Sequence, residues 1–354
     1  MMRLLTHTGA GAQLCDRDSL STAARHAYHF CEKWLNGENI FEVRTSGSTG
    51  EPKLISFTKK QMTASAVNTA TVTGYAPGDL MHVCIDTQHI GGMMQLVRSL
   101  VFKMDIYIYD AGIYIVDALQ IKAGRHHISL TPPMAQQALK TVEGTDKINK
   151  FTSVLIGGSS ISDDLAIHFK TMQAQVFHTY GMTETCSNAA MRDLTAGELF
   201  FTALPGWKIK PGEDGCLSLF NERITDHCVH TNDLVEFKSD QTFLIKGRAD
   251  FIINSGGIKY VPEVLEATLS TNQFLPELIC YVSAKPHPVW GESLVLVIES
   301  TASGIEKISD SWLEDANNIF GKNILREVYI IQKIPLTANG KPDRKRLKEI
   351  LSEH

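Results

Sequence analysis

The apolar positions change period along the chain, and those changes divide it into elements. Over residues 20–35 they recur at helical spacing, with Ala23, Ala27, Phe30 and Trp34 on one face and Ser21 or Thr22 placed to cap the first turn. A second helical stretch runs from about Lys59 to Gly74. Short apolar runs at residues 81–85, 106–109 and 128–130 read as strands, with a helical stretch between the last two. The clearest unit is Ser153-Val154-Leu155-Ile156 as a strand, Gly157-Gly158-Ser159 as a turn, a helix from Asp163 to Met172, and Gln175-Val176-Phe177-His178 as the next strand. This is a βαβ crossover, and the alternation predicts a largely parallel sheet. Ligands of such sheets collect outside the carboxyl ends of the strands. There the crossover places Gly157-Gly158-Ser159 and a second turn, Thr179-Tyr180-Gly181-Met182-Thr183-Glu184.

Beyond about residue 200 the pattern shortens. Pro205-Gly206, Pro211-Gly212 and Asp214-Gly215 mark hairpins of an antiparallel β region. After Lys246-Gly247-Arg248 come a helix at 262–269, strands at 278–282 and 293–298, and a helix at 308–320. The expectation is an α/β protein with a large N-terminal domain, residues 1–247, of mostly parallel sheet flanked by helices plus a small β subdomain. A small mobile α+β lid, residues 248–354, would follow.

Composition narrows the classes of function. The 354 residues carry a net charge of −5, without the basic excess of a general nucleic-acid or membrane-surface binder. Residues 1–7 have no apolar leader core, and no apolar run approaches membrane-spanning length, so a cytoplasmic protein is expected. The seven cysteines lack Cys-x-x-Cys or Cys/His metal spacing and read as reduced, mostly structural thiols, Cys186 included. His126-His127 reads as a loop or strand end rather than a ligand pair.

The densest chemistry is Thr45-Ser46-Gly47-Ser48-Thr49-Gly50-Glu51-Pro52-Lys53. Glycines let backbone amides approach phosphate oxygens, hydroxyls donate further hydrogen bonds, and Lys53 adds a point charge. The stretch departs from the mononucleotide P-loop. Two residues separate Gly50 from Lys53, Leu54 stands where a hydroxyl should follow, and Pro52 disfavours the helical conformation at Glu51. A flexible phosphate cover fits better than a helix-capped cradle.

Five segments in order resemble the adenylate-forming superfamily of acyl-CoA synthetases, carrier-protein adenylation domains and luciferases. They are Thr45 to Lys53, Tyr180-Gly181-Met182-Thr183-Glu184, His230-Thr231-Asn232-Asp233, Gly247-Arg248-Ala249-Asp250 with Asn254-Ser255-Gly256-Gly257-Ile258-Lys259, and Asn339-Gly340-Lys341-Pro342-Asp343-Arg344. The resemblance implies that a carboxylate attacks the α-phosphate of ATP, pyrophosphate leaves, and a thiol then attacks the acyl-adenylate. It implies ATP, Mg²⁺ and CoA. By the same resemblance Thr45, Ser46, Gly47, Ser48, Thr49, Gly50 and Lys53 hold the β and γ phosphates, Thr183 contacts the α-phosphate, and Glu184 holds Mg²⁺. Tyr180 and Gly181, with Gly157, Gly158 and Ser159, line adenine, while Asp233 and Arg248 hold the ribose. Lys341 neutralises charge developing at the reacting carboxylate and α-phosphate, a contact whose loss typically costs on the order of 10²–10³ in rate. Asp250 matches a hinge, and Gly256-Gly257 a turn that lets a pantetheine arm pass. Arg344, Lys345, Arg346 and Lys348 read as an exposed helix face.

Residues 180–192, the segment His89-Ile90-Gly91-Gly92 through Arg98, and the short chain resemble compact o-succinylbenzoate–CoA ligases of menaquinone biosynthesis. Such a substrate has a second carboxylate that does not react, which calls for a cation; Arg98 and Arg192 are candidates, with His89 at the pocket wall. Two departures stand out. Only 44 residues precede Thr45, which implies a reduced or missing subdomain, and Asn232 replaces the usual glycine before Asp233. A stand-alone enzyme loading a carrier protein and a degenerate AMP-binding regulatory protein are the alternative readings. The partners expected are a small carboxylic acid, ATP and CoA, with neither nucleic acid nor membrane, and a homodimer is left open.

Overall fold

The computed structural model describes residues 2–8, 11–16, 20–44, 53–276, 278–300, 309, 311–337 and 342–353. The chain forms two compact units. One comprises residues 1–210, 218–229 and 238–243, the other residues 211–217, 230–237 and 244–354.

The first unit opens with strands β1 (Met2–Thr8) and β2 (Gly11–Leu14) and helix α1 (Thr22–Leu35). Ser21 caps α1 by accepting from the Ala24 amide, and Ala27, Phe30 and Trp34 are buried as their spacing predicts. Strands β3 (Ile40–Arg44) and β4 (Leu54–Thr58) pair antiparallel, Arg44 opposite Leu54. Helix α2 (Lys59–Thr73) follows, with a Thr58–Gln61 capping box and a left-handed Gly74 ending it.

Next come β5 (Leu80–Val83), α3 (Ile90–Phe102), β6 (Asp105–Ile108), α4 (Ile115–Ala118) and β7 (His126–Leu130). They are followed by α5 (Pro132–Ala138), α6 (Val142–Asn149), β8 (Ser153–Ile156), α7 (Asp163–Phe169) and β9 (Gln175–Met182). Strands β6, β5, β7, β8 and β9 lie side by side in that order and all parallel. The β1–β2 hairpin closes the β6 edge antiparallel. Beyond β9, β10 (Ser187–Asp193) and β11 (Phe201–Ala203) add antiparallel strands. Ile128, Leu130, Val154, Ile156 and Val176 of the sheet pack with Val116, Ala135, Ile148, Leu165 and Phe169 of α4–α7. This is the parallel sheet flanked by helices that the alternation predicts.

One element differs from expectation. Strand β9 does not stop at His178 but continues through Tyr180 and Gly181, which pair with Ala190 and Asn188 of β10. The glycine reads as a breaker, yet here it admits a neighbouring strand: a Cβ on Gly181 would lie 1.9 Å from the Ser187 carbonyl oxygen.

Beyond β12 (Lys208–Pro211), β13 (Cys216–Phe220), β14 (Val229–Phe237) and β15 (Thr242–Arg248) the second unit has its own sheet. It contains β16 (Ile253–Ser255), β17 (Ile258–Tyr260), α8 (Pro262–Thr271), β18 (Cys280–His287), β19 (Gly291–Glu299), α9 (Ser311–Ile319), β20 (Leu325–Ile331) and α10 (Arg344–Ser352). The central β19 is apolar on both faces. Leu294, Leu296 and Ile298 face Leu269 of α8 and Ala316 of α9, whereas Val295 and Val297 face Leu347 and Leu351 of α10. Among the described residues no helix is long and apolar enough to cross a membrane.

Candidate active site

The ends of β8 and β9 meet side by side. The Thr179 hydroxyl donates to the Ile156 carbonyl at 3.2 Å, and a Cβ on Gly157 would sit 2.4 Å from that hydroxyl oxygen, so this junction excludes a side chain. Gly158 has φ +93°, a left-handed turn residue. Beyond it the Ser159 carbonyl lies 3.0 Å from His178 Nε2, while His178 Nδ1 accepts from Arg192 Nε at 3.2 Å. Because the guanidinium can only donate, Nδ1 is unprotonated and Nε2 carries the hydrogen. Burial, reinforced by Arg192, pushes the imidazole down to about 4. The histidine is thus a neutral brace between the Gly157–Ser159 turn and β10.

Tyr180 is buried, its ring edge-on to Phe243 and Phe201 at 5.3 and 6.0 Å. Residues Thr183–Thr185 then form one 3₁₀ turn. Thr185 holds it: its hydroxyl oxygen accepts from the Met182 amide at 2.9 Å and reaches the Ser187 carbonyl at 2.7 Å. Cys186 and Ser187 follow at φ +51° and +82°, strained for residues with side chains. The turn leaves the Glu184 carboxylate exposed and Thr183 half-buried. The Cys186 thiol is fully buried and pushed up to about 12 by desolvation, which leaves it inert as a nucleophile.

Arg98 is buried on α3, only 2 % exposed, and donates to the Ser187 hydroxyl at 3.1 Å; its Nε has no partner among the described residues. Burial lowers its pKa, opposed by Tyr75 and Cys186. The acid-pocket candidates His89, Arg98 and Arg192 lie on separate stretches of the first unit. His89 is exposed at the start of α3, nine positions and roughly 13 Å along the helix from Arg98. Arg192 lies five positions along β10 from Ser187, roughly 16 Å away, over the Phe201 ring and donating to the Leu199 carbonyl.

The second unit gathers another cluster. Thr231 donates to the Leu217 carbonyl at 2.9 Å and accepts from the Asp233 amide at 3.1 Å, which orients the end of the His230–Asp233 segment. Arg248 NH1 donates to Asp233 at 3.0 Å, and its NH2 donates to Asp250 at 2.6 Å. Burial lowers the guanidinium pKa, but the two carboxylates outweigh it and hold the group above its ordinary value. Asn232 also reaches Asp250, at 2.6 Å. Asn232, which stands where a glycine is usual, joins the cluster through its amide, and that departure is its only local signal in the sequence. Gly256 and Gly257, at φ +60° and +84°, form the tight turn between β16 and β17, with Trp290 against Gly256.

Thr45, Ser46, Gly47, Ser48, Thr49, Gly50 and Lys341 lie outside the described residues, whereas Lys53 is described and exposed just before β4. The stems of both segments are described. Arg44 pairs with Leu54 across the first, and Leu336 bridges Pro342 across the second. Arg344, expected on an exposed helix face, is instead drawn inward by Glu266 and Glu263, its side chain 13 % exposed.

Residues 37–209 match the AMP-binding enzyme family. That match and the relatives below support an AMP-forming acid–CoA ligase. It is 27 % identical to the 2-succinylbenzoate–CoA ligase of Listeria monocytogenes serotype 4b over 343 residues, 90 % of this chain and 71 % of that one. It is 24 % identical to a probable 2-succinylbenzoate–CoA ligase of Mycobacterium tuberculosis, over 85 % of this chain and 82 % of that one. Among solved structures, an acyl-CoA synthetase (AMP-forming)/AMP-acid ligase II-like protein from Dyadobacter fermentans is 28 % identical, with TM-score 0.62. That match covers 96 % of this chain and 97 % of that one. The o-succinylbenzoate coenzyme A synthetase of Bacillus subtilis, solved with ATP and magnesium ion, shares the fold with TM-score 0.72 at 20 % identity, over 87 % of this chain and 69 % of that one.

Proposed function

We propose that this enzyme converts o-succinylbenzoate, ATP and CoA to o-succinylbenzoyl-CoA, AMP and pyrophosphate, in the cytoplasm and in the service of menaquinone synthesis. A carboxylate oxygen attacks the α-phosphorus, the bond to the β-phosphate breaks, and pyrophosphate leaves. The CoA thiolate then attacks the acyl carbon and AMP leaves. Relatives along nine-tenths of the chain carry the 2-succinylbenzoate–CoA ligase name, and the observation that carries the reading is the paired ending of β8 and β9 at Gly157–Ser159 and Tyr180–Glu184. Adenine lies along those turns, Asp233 and Arg248 take the ribose hydroxyls, and Thr45–Gly50 with Lys53 covers the outer phosphates. Glu184 is an exposed hard oxygen donor at the end of a strand, which suits a magnesium ion that keeps several of its waters. That ion supplies charge neutralisation on the triphosphate. Lys341 does the same for the reacting carboxylate and α-phosphate in the first step.

Of the three pocket candidates, Arg98 suits the substrate's second carboxylate best. Its buried guanidinium keeps an unused donor, and a carboxylate would restore the charge pairing that burial demands. Arg192 and His89 are secondary candidates. The functional division falls at residue 247, with Asp250 as the hinge and Gly256-Gly257 bordering the pantetheine path.

The test is a screen of aromatic and aliphatic acids for acid-dependent ATP–pyrophosphate exchange and CoA thioester formation. Exchange and turnover with free CoA on o-succinylbenzoate are expected. Good turnover of another acid with none of o-succinylbenzoate rejects the substrate. Exchange without turnover on free CoA favours carrier-protein loading, and no exchange with any acid favours a regulatory protein.

A further inference from the structure

Lys341 is flanked by a stem with more fixing contacts than a surface loop requires. Leu336 bridges Pro342, and the Asp343 amide donates to the Pro335 carbonyl at 2.8 Å. Asp343 then caps α10 by accepting from the Arg346 amide at 2.9 Å. Arg344, the first residue of α10, donates through NH1 and NH2 to the two oxygens of Glu266 at 3.0 and 2.6 Å. Its NH1 also reaches the Val282 carbonyl at 3.3 Å, and its Nε lies 3.4 Å from Glu263. Glu266 Oε1 also accepts from the Val282 amide at 2.8 Å, so α8, β18 and the start of α10 share one carboxylate. The Phe251 and Tyr281 rings each lie 5.6 Å from the guanidinium.

A bidentate arginine fixes both distance and plane, which a lysine cannot do. The fork therefore sets where Pro342 begins, and Lys341 is one peptide, about 3.8 Å between Cα atoms, before it. Glu263 extends the connection. Besides facing Arg344, its carboxylate lies so close to Gly247 that a Cβ there would be 2.7 Å from Oε2, beside the backbone of Arg248. Arg248 in turn holds Asp233 and Asp250. Carboxylates assigned no part in the chemistry thus hold the start of α10, just past Lys341 in sequence, against α8 and β18.

We propose that Arg344, Glu266 and Glu263 are positioning residues for adenylation, clamping the chain just after Lys341 to α8 and β18. The proposal rests on the role given to Lys341 above.

The test compares Arg344→Lys, Glu266→Gln and Glu263→Gln with Lys341→Ala in three measurements on the full chain. These are ATP–pyrophosphate exchange with o-succinylbenzoate, thioester formation from preformed o-succinylbenzoyl-AMP and CoA, and Tm. Arg344→Lys should slow exchange about 30- to 100-fold, through kcat with the KM for ATP changed less than about threefold, as expected for displacement of a reacting group by an ångström. Thioester formation should stay within about threefold of the parent. Glu263→Gln, which keeps the shape of the side chain, should show the same split at about tenfold and serves where the other variants do not fold. Equal loss of both half-reactions, or folded variants with unchanged exchange, overturns the clamp. Retained exchange in Lys341→Ala overturns the role of Lys341 itself, a result separate from either of these.

Discussion

Residue by residue, the site is governed by where side chains are forbidden and where a charge is buried. Gly181→Ala is expected to be severely damaging, because a methyl 1.9 Å from the Ser187 carbonyl oxygen forces β9 and β10 apart. Exchange activity should fall at least about 100-fold, with Tm lowered by several degrees; near-normal exchange would contradict the packing of that strand pair. Arg98→Gln should raise the KM for o-succinylbenzoate about 10- to 100-fold, the loss of one charge-assisted interaction, with the KM for ATP unchanged. Acids without a second carboxylate should be affected less than about threefold, and an equal effect on them would remove Arg98 from the pocket. In the sequence Gly157, Gly181, Asp233 and Arg248 stand out by type and order, and in the structure the two glycines sit where a Cβ does not fit and Arg248 meets Asp233. Asn232 stands out only as a departure from glycine and Arg344 only as one of a basic run, and neither carries a local sign of the carboxylates it meets.

Among the elements, the parallel strands carry a polar network at their starts, away from the Gly157 and Thr183 turns. His82 on β5 lies 2.9 Å from the Tyr109 hydroxyl and 2.8 Å from His126, which in turn meets the Lys122 carbonyl at 2.9 Å. His127 contacts Ser153 and Asp79, each at 2.8 Å, and Arg125 holds Asp79 from the other side. Burial lowers the pKa of all three histidines, His82 to about 3, although Asp79 opposes the shift at His126 and His127. Their neutral forms therefore favour the fold fully above the unfolded value near 6.5, and this contribution is lost as pH falls below it. Each such group contributes a slope of about 1.4 kcal/mol per pH unit until its folded pKa is reached. Urea unfolding should show a midpoint that drops between pH 7.5 and pH 5, with a shallower drop in His82→Gln; a midpoint flat over that range would contradict the network. The periodicity foretold these strands and the βαβ crossover. It did not foretell that His126 and His127 would both be buried, nor that β9 would run on to Met182, since each depends on a neighbour distant in sequence.

Across the whole molecule, the proposed assignment gives the two half-reactions different residues, so they are expected to be separable. Gly257 sits at φ +84° with open space where a Cβ would be. Gly257→Leu should strain the β16–β17 turn and obstruct the thiol's approach, raising the KM for CoA at least about tenfold while exchange stays within about threefold. Comparable loss of both steps would count against Gly256-Gly257 as part of the CoA path. By itself the sequence determined the alternation of elements, the positions of the chemistry-bearing turns and the adenylate-forming class, because helix and strand periods and glycine conformations are properties of a few consecutive residues. Only the tertiary structure decided that Arg98 is buried beside Ser187, that Arg192 lies apart from it, and that Arg344 faces Glu266 and Glu263 instead of solvent. Burial and charge pairing are set by what other segments bring to the same place, and no local pattern encodes that.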